Sequence, residues 1–402
     1  MQSRQEGQKY NIVCLSNQIW DYPLWTNKKH VMKRLSEQGH NVIFVDPPIN
    51  TGFLFFKHVK AGKWNLKRIL EWTYKDENIT VFSPLNFFPA FEFLSKMHSQ
   101  LISDLSTKKF DKNLKTILWV YHVEIAGIKN YIDKISHDVL VYDCVDNYPA
   151  FPKYDTLEKK EKVIKQEEFL AKQADIVFAT APGLMDKLKK YNTNVHFMPN
   201  VGDFDKFVTS QNYKKDLPEE IRNLKRPIIG YTGAVDEYKF DAQLVKKLAK
   251  DYPNYTFVII GPLALKDREA SAQDIGLGDL ENVVFLKSKP YSEIHKYFAG
   301  FDSFIIPYQL NDYTVGGCFP VKFHDALATG LPVVVTDLPA YAPFEDVSYI
   351  SKSYNEFSQN IRKSLEEDNE QRIKQRQWVA KDNSWDGKVS KMLALINELT
   401  NN

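Results

Sequence analysis

Residues 312–337 read DYTVGGCFPVKFHDALATGLPVVVTD. Two glycines and a proline precede a segment in which Phe323, Ala326 and Leu327 share one face at helical spacing, so a helix is predicted from about Val321 to Thr329. Gly330 stops it, and an apolar, non-alternating run, PVVV, follows. Such a run reads as a strand buried on both faces, and strands of that kind belong to parallel sheets covered by helices. The helix also carries charge. Lys322, Asp325 and Thr329 fall within roughly 60° of one another on a second face. A lysine in the first turn opposes the helix dipole. A phosphate at that end would relieve the conflict by binding both the dipole and the ammonium, and Asp325, one turn deeper, suits sugar hydroxyls. A plain i,i+3 surface pair is the alternative. The flanking glycines and the buried strand behind favour the phosphate.

The same alternation runs along the whole chain. NIVCLS, NVIFVDPP, ITVFSPL, TILWVYH, VLVYDCVD, DIVFATAP and VHFMPN form a first series of apolar runs. PIIGYTGAV, YTFVIIGP, VVFLKS, SFIIPY, PVVVTD and VSYIS form a second. The spacers have helical periodicity with Gly or Pro stops. Two series of six or seven strands predict an α/β protein of two Rossmann-like, doubly wound parallel-sheet domains. The polar stretch 202–227 separates them. The expected division is 1–205, then 206–384, with a helix over 385–402 packing back on the first domain. Ligands of open parallel sheets bind beyond the carboxyl ends of the strands, so two such domains are expected to face a shared cleft. Gly233, after PIIGYT, and Gly261, after FVII, end strands there. Glycine allows a ligand close to the backbone, although a tight turn explains either residue equally well.

Composition narrows the partners. With 53 basic and 51 acidic residues the net charge is +2, which gives no global field for nucleic acid. No apolar run reaches the ~18 residues of a membrane span, and the polar N-terminus MQSRQEGQKY lacks a signal-peptide core. Cys14, Cys144 and Cys318 are scattered and odd in number, as in a reducing cytosol. No His/Asp cluster has ligand spacing; in DCVD, Asp143 and Asp146 do not make a tight pair. No metal is expected.

FPVKFHDALATGLPVVVTDLP resembles a segment of the retaining "group 1" glycosyltransferases of GT-B fold. MPNVGDFDKF, GYTGAVDEYKFD, FVIIGP and VVFLKSKPYSEIHKYFAGFDSFIIPY resemble further segments of that family. WDYPLWTNKKHVMKRLSEQGHNVIFVDPP and VYDCVDNYPAFP resemble a subgroup acting in bacterial cell-surface polysaccharide synthesis, including teichuronic-acid-type enzymes. The resemblance implies a GT-B glycosyltransferase taking a UDP- or GDP-sugar as substrate, with no resident cofactor, and a glycan or lipid-linked acceptor. It places Asp325 at the nucleotide ribose. It places Lys322, Gly316 and Gly317 at the diphosphate, with Thr314 and Val315 beside them, and Lys287 and Tyr291 flanking the base. The family's first acid falls on Gly317, and only Lys239 stands where a basic pair is common. An epimerase of the same fold, or a non-catalytic nucleotide-sugar-binding partner, remains open on these residues.

First-domain strand ends supply the other candidates. His122 ends TILWVYH and suits a sugar contact or stabilisation of charge at the anomeric carbon; a core or capping histidine is the alternative. Asp146 ends VLVYDCVD, where a turn or cap aspartate is common. With Lys322 these are the catalytic candidates. Trp20 and Trp25 lie in the loop after the first strand, as sugar-stacking or core residues. Residues 51–68, TGFLFFKHVKAGKWNLKR, combine Lys57, Lys60, Lys63, Lys67 and Arg68 with Phe53, Leu54, Phe55 and Phe56, and carry no acid. This composition suits an anionic membrane surface and predicts a cytosolic, peripheral protein.

Overall fold

The computed structural model describes residues 8–22, 25–50, 71–86, 91–265 and 271–401, with isolated positions 59, 268 and 269. The basic–aromatic segment 51–68 therefore lies almost entirely outside the described residues. The chain divides into two units. The first comprises 1–179, 184–198 and 389–402; the second comprises 180–183 and 199–388.

The first unit is built on an eight-stranded sheet. Its strands are β1 (Asn11–Leu15), β2 (Asn41–Val45), β3 (Thr73–Asp76), β4 (Ile79–Phe82), β5 (Thr116–Val120), β6 (Val139–Cys144), β7 (Ile176–Ala179) and β8 (Val195–Phe197). Their order is β8-β7-β6-β5-β1-β2-β4-β3, parallel throughout except for the β3–β4 pair. Helices α1 (Asn27–Glu37), α2 (Phe91–Lys109) and α3 (Leu157–Gln173) are among those joining the strands. Every residue of β1, β4, β6 and β7 is buried, as the non-alternating apolar runs require. The C-terminal residues close this unit: the Thr400 hydroxyl lies 2.9 Å from Tyr10 Oη, and Lys115 Nζ donates to the Thr400 carbonyl.

The second unit holds a six-stranded, all-parallel sheet. It consists of β9 (Ile228–Thr232), β10 (Thr256–Ile260), β11 (Val283–Leu286), β12 (Ser303–Ile306), β13 (Val333–Thr336) and β14 (Tyr349–Ser351), ordered β11-β10-β9-β12-β13-β14. Its helices include α4 (Ala242–Asp251), α5 (Asp312–Gly317), α6 (Lys322–Thr329), α7 (Tyr354–Glu366) and α8 (Glu370–Asp382); α9 (Trp385–Asn401) ends the chain. In α4, Leu244, Val245, Leu248 and Ala249 are buried, and the Asp241 carboxylate accepts a hydrogen bond from Leu244 N at 2.9 Å as N-cap. Gly330 caps α6 in the left-handed conformation, φ 85°. Strand order reverses between β9 and β12, so the loops after those strands, and after neighbouring β10, mark the carboxyl-end crevice of this unit.

Gly316 and Gly317, which precede the helix as expected, are the last residues of α5, and Cys318–Val321 separates α5 from α6. An N-terminal capping box holds α5 in place of helix propensity. Asn311 Oδ1 accepts from Tyr313 N and Thr314 N at 3.0 and 3.1 Å, and Thr314 Oγ1 accepts from Asn311 N at 3.0 Å.

Candidate functional site

Two glycines and a lysine define the centre of the second unit's crevice. β9 runs into Gly233 and β10 into Gly261, both at positive φ, 131° and 150°. A Cβ on Gly261 would stand 2.1 Å from the Gly233 carbonyl oxygen, so these two backbones touch. A Cβ on Gly233 would lie 2.3 Å from Lys322 Nζ, so the ammonium rests on the Gly233 backbone. Lys322 Nζ donates to Tyr231 Oη at 3.0 Å and to Tyr308 Oη at 3.2 Å, and stands 4.2 Å from the Tyr231 ring centre. Neither phenol carries a charge to balance it.

Burial therefore pushes the Lys322 ammonium down to about 7, with the Lys239 charge pushing the same way and Asp236, Cys318 and Asp325 opposing. Lys239 behaves in the opposite sense. Burial disfavours its charge, yet Asp236, 3.0 Å away, together with Tyr238 and Tyr231, holds it above the usual lysine range. One cation is thus paired with a carboxylate and the other has only neutral hydrogen-bond partners. An anion placed here would supply the charge that Lys322 lacks.

A second polar group surrounds Asp325, on the same helix. Asp203 N donates to Asp325 Oδ1 at 2.9 Å, and Tyr291 Oη donates to Asp203 Oδ2 at 2.8 Å. The Lys206 ammonium lies 3.7 Å from the Tyr291 ring centre. Burial lowers the pKa of Lys206, opposed by Asp203 and Asp325. A Cβ on Gly202 would approach the His324 carbonyl carbon to 2.8 Å, and Asn200 Nδ2 donates to the Phe319 carbonyl at 3.0 Å. The segment 200–206 is thereby clamped onto α6.

The sequence candidates separate on this geometry. Gly233, Gly261 and Lys322 meet, and Asp325 and Tyr291 are joined through Asp203. The Thr314 hydroxyl is engaged in the α5 cap and with the Gln309 carbonyl, while Val315 is 44% exposed on that helix. Gly317 is buried at the end of α5, with Gly316 before it. Lys287 is exposed just beyond β11. Tyr231, Tyr308, Asp236, Asp203 and Lys206 were not singled out for a role. The segments GYTGAVDEYKFD and MPNVGDFDKF hold four of them, but the contacts span 91 positions for Tyr231 and 122 for Asp203.

In the first unit, His122 follows β5 and lines a cavity of about 170 Å³ with His98, Glu124, Ser95 and Asn86. Burial lowers its pKa to about 4, with Glu124 opposing and Lys153 and Lys28 adding, and its Nδ1 is buried without a hydrogen-bond partner. Glu124 is held by Lys153 at 2.7 Å and by the Tyr154 hydroxyl. Asp146, after β6, is partly buried, and its carbonyl accepts from Cys144 Sγ at 3.6 Å. Trp20 is a core residue, 2% exposed, whose Nε1 donates to Asp76 at 2.6 Å. Trp25 packs edge-on against His30. Among the described residues no helix is long and apolar enough to cross a membrane.

Two Rossmann-like parallel-sheet units of this construction make the GT-B fold. Sucrose-phosphate synthase from Thermosynechococcus elongatus superposes over 98% of this chain and 99% of its own with a TM-score of 0.69 at 13% identity. Anabaena HepE, solved in complex with UDP and glucose, does so over 96% and 99% with a TM-score of 0.66 at 13% identity. Residues 226–367 match the family described as Glycosyl transferases group 1. TuaH of Bacillus subtilis (strain 168), named for teichuronic acid biosynthesis as a glycosyltransferase, is 29% identical over 215 residues. That match spans 51% of this chain and about half of TuaH, 52%.

Proposed function

We propose that the protein is a retaining glycosyltransferase that moves a sugar from a nucleotide-diphosphate sugar to a glycan or lipid-linked acceptor in cell-surface polysaccharide synthesis. The observation that carries this reading is Lys322: an ammonium on the Gly233 backbone, between two neutral phenols, without a carboxylate of its own. The donor's glycosidic bond breaks to leave an anionic diphosphate, and the site must stabilise the charge that develops there. Lys322 and Lys239 supply two cations and α6 its N-terminus. Asp325, oriented by the Asp203 amide, takes the ribose hydroxyls, and Tyr291 and Lys287 lie on the nucleoside side. In the first unit His122, neutral at physiological pH, serves as a hydrogen-bonding group towards the sugar, with Asp146 as the second candidate there. The group 1 match and the relationship to TuaH support transfer in polysaccharide synthesis, and HepE, solved with UDP and glucose, supports the donor class. No metal enters this scheme, because the two lysines meet the diphosphate charge.

A thermal-shift panel of nucleotide sugars tests the donor reading, since a ligand that binds the folded state raises Tm. A UDP- or GDP-sugar is expected to raise Tm by several degrees, and Lys322→Ala should abolish the rise. An unchanged rise in that variant would sink the reading. The composition of 51–68 supports peripheral attachment to an anionic membrane. Charge reversal across Lys57–Arg68 should release the protein from phosphatidylglycerol vesicles, and persistent binding would refute attachment through this segment.

A further inference from the structure

At the amino ends of the second unit's strands lies a cavity of about 310 Å³. β9, β12 and β13 are neighbours in that sheet and begin at Ile228, Ser303 and Val333. Arg226, Asp302 and Pro332, just ahead of those strands, line the cavity. Gly233 and Tyr308, beyond the other ends of β9 and β12, sit with Lys322. The cavity and the Lys322 group thus occupy opposite ends of the same strands. Its volume falls at the lower end of the ~300–1,000 Å³ typical of small-molecule pockets.

The acceptors around this cavity are already engaged. α6 ends here, and its last carbonyls have donors: Gln211 serves Thr329, and Arg376 Nε and Nη2 serve Gly330 at 2.9 and 2.7 Å. Arg226 Nη1 donates to the Gly300 carbonyl at 3.1 Å. Its Nη2 donates to Asp302, whose other oxygen accepts from Ile228 N at 2.6 Å. Asp368 is paired with Arg376. The helix C-terminus and both carboxylates therefore leave little to attract a cation. One charge is left over. Lys214 is exposed on the lining, and among the described residues its ammonium has no hydrogen bond, ion pair or ring contact.

The charges and the walls together define the ligand. Lys214, Arg226 and Arg376 face only Asp302 and Asp368, so positive charge is in excess. Leu217, Leu331 and Ile373 are only partly buried, and with Pro332 they give the cavity apolar surface that water now covers. A cation would add to the excess charge. An inorganic anion would meet Lys214 and leave the apolar wall wet. A carboxylate on an apolar body meets the ammonium and dries the wall at once. We infer that this cavity is a second ligand site, separate from the crevice, for a small organic carboxylate with an apolar body, and that Lys214 anchors its charge. The inference stands independently of the glycosyltransferase reading, since none of these residues belongs to the Lys322 or Asp325 groups.

The test uses the full chain and ligand-observed NMR titrations with benzoate, hexanoate, benzyl alcohol, benzylamine and inorganic phosphate. At least one of the two carboxylates is expected to bind the wild type, and more tightly than the alcohol, the amine or phosphate. Lys214→Met should weaken that binding about two- to fivefold, the scale of a solvent-exposed ion pair. Lys214→Glu, which reverses the charge, should weaken it at least about tenfold. Lys214 is exposed, so both variants should fold, and both should retain the wild-type melting shift with nucleotide sugar. Saturating UDP should leave carboxylate binding unchanged. The inference is overturned if neither carboxylate binds, if benzylamine or phosphate binds as tightly, or if Lys214→Glu binds like wild type. Displacement by UDP would put the carboxylate in the crevice and overturn it too. Carboxylate binding without any nucleotide-sugar shift would fail the donor reading alone, and the reverse would fail this inference alone.

Discussion

Nucleotide-diphosphate binding should draw a proton onto Lys322. In the free protein burial holds its pKa at about 7, against an ordinary 10.5. At pH 8 the free side chain is therefore only about one-tenth protonated. A diphosphate beside it favours the charged form, so binding at pH 8 should take up about 0.9 proton. The ligand adds no proton of its own, because a terminal phosphate with its second pKa near ~6 is already deprotonated. Affinity should then fall about tenfold between pH 8 and pH 9. Calorimetric titration in two buffers of unlike ionisation enthalpy reads the proton uptake directly. Uptake below roughly 0.2 proton at pH 8 would refute the assignment of Lys322 to the diphosphate.

The same residue has a stability consequence of opposite sense. Its folded pKa lies below the unfolded value, so between about 7 and 10.5 the unfolded chain binds more protons and stability rises with pH. Below pH 7 the cost is fully present, at most about 5 kcal/mol for a shift of this size. Lys322→Met removes that cost but takes a donor from two phenols, of which Tyr231 keeps its 2.8 Å bond to the Ala234 carbonyl, at roughly 1–3 kcal/mol together. The ligand-free variant should thus melt higher than wild type near pH 6.5 while losing its nucleotide shift. A lower Tm there would contradict the burial argument.

Three further outcomes are expected. Gly261→Ala places a Cβ 2.1 Å from the Gly233 carbonyl at φ 150°, so thermal unfolding should show a loss of about 2–4 kcal/mol, and an unchanged Tm would deny the close approach. Tyr291→Phe removes the bond to Asp203 at 2.8 Å and should weaken nucleotide-sugar binding by about 1 kcal/mol in a calorimetric titration, with little effect on turnover at saturation. The His122 imidazole, with pKa about 4, should remain neutral at pH 5 by NMR; from pH 6.5 down towards 4 it contributes a progressive loss of stability, about 3 kcal/mol in all, and a titration midpoint near 6.5 would show that it is solvated.

The sheets were legible because a parallel strand covered on both faces can be little other than a Val/Ile run. All thirteen apolar runs correspond to strands of the two main sheets, and the helix read from about Val321 begins at Lys322. β3 was not legible. TYKD, residues 73–76, lies at the sheet edge with its side chains largely exposed, so burial left no mark on its composition. α5 was not read either: it is held by its Asn311–Thr314 cap, two residues three apart in the sequence, and ends in Gly316 and Gly317. At the site, spacing placed Lys322 and Asp325 on one helix face. It had no means of supplying Tyr231, Tyr308 or Asp203, which tertiary packing brings to them.

The limit is sharpest for the two lysines. Lys28 and Lys322 each occupy the first turn of a helix. Their surroundings separate them. Lys322 has two neutral phenols as hydrogen-bond partners, and the Lys239 charge works against its protonation while Asp236 and Asp325 oppose this. Lys28, with its pKa lowered by burial, has Asp146 and Asp143 opposing that shift. What a buried lysine recognises is therefore set by the charge already beside it, and that charge arrives from other strands. Introducing a carboxylate next to Lys322 by Tyr308→Glu should accordingly abolish nucleotide binding while keeping Lys322 protonated above pH 8, converting the first environment into the second. If the variant still binds a nucleotide diphosphate with wild-type affinity, local charge balance is not what selects the ligand.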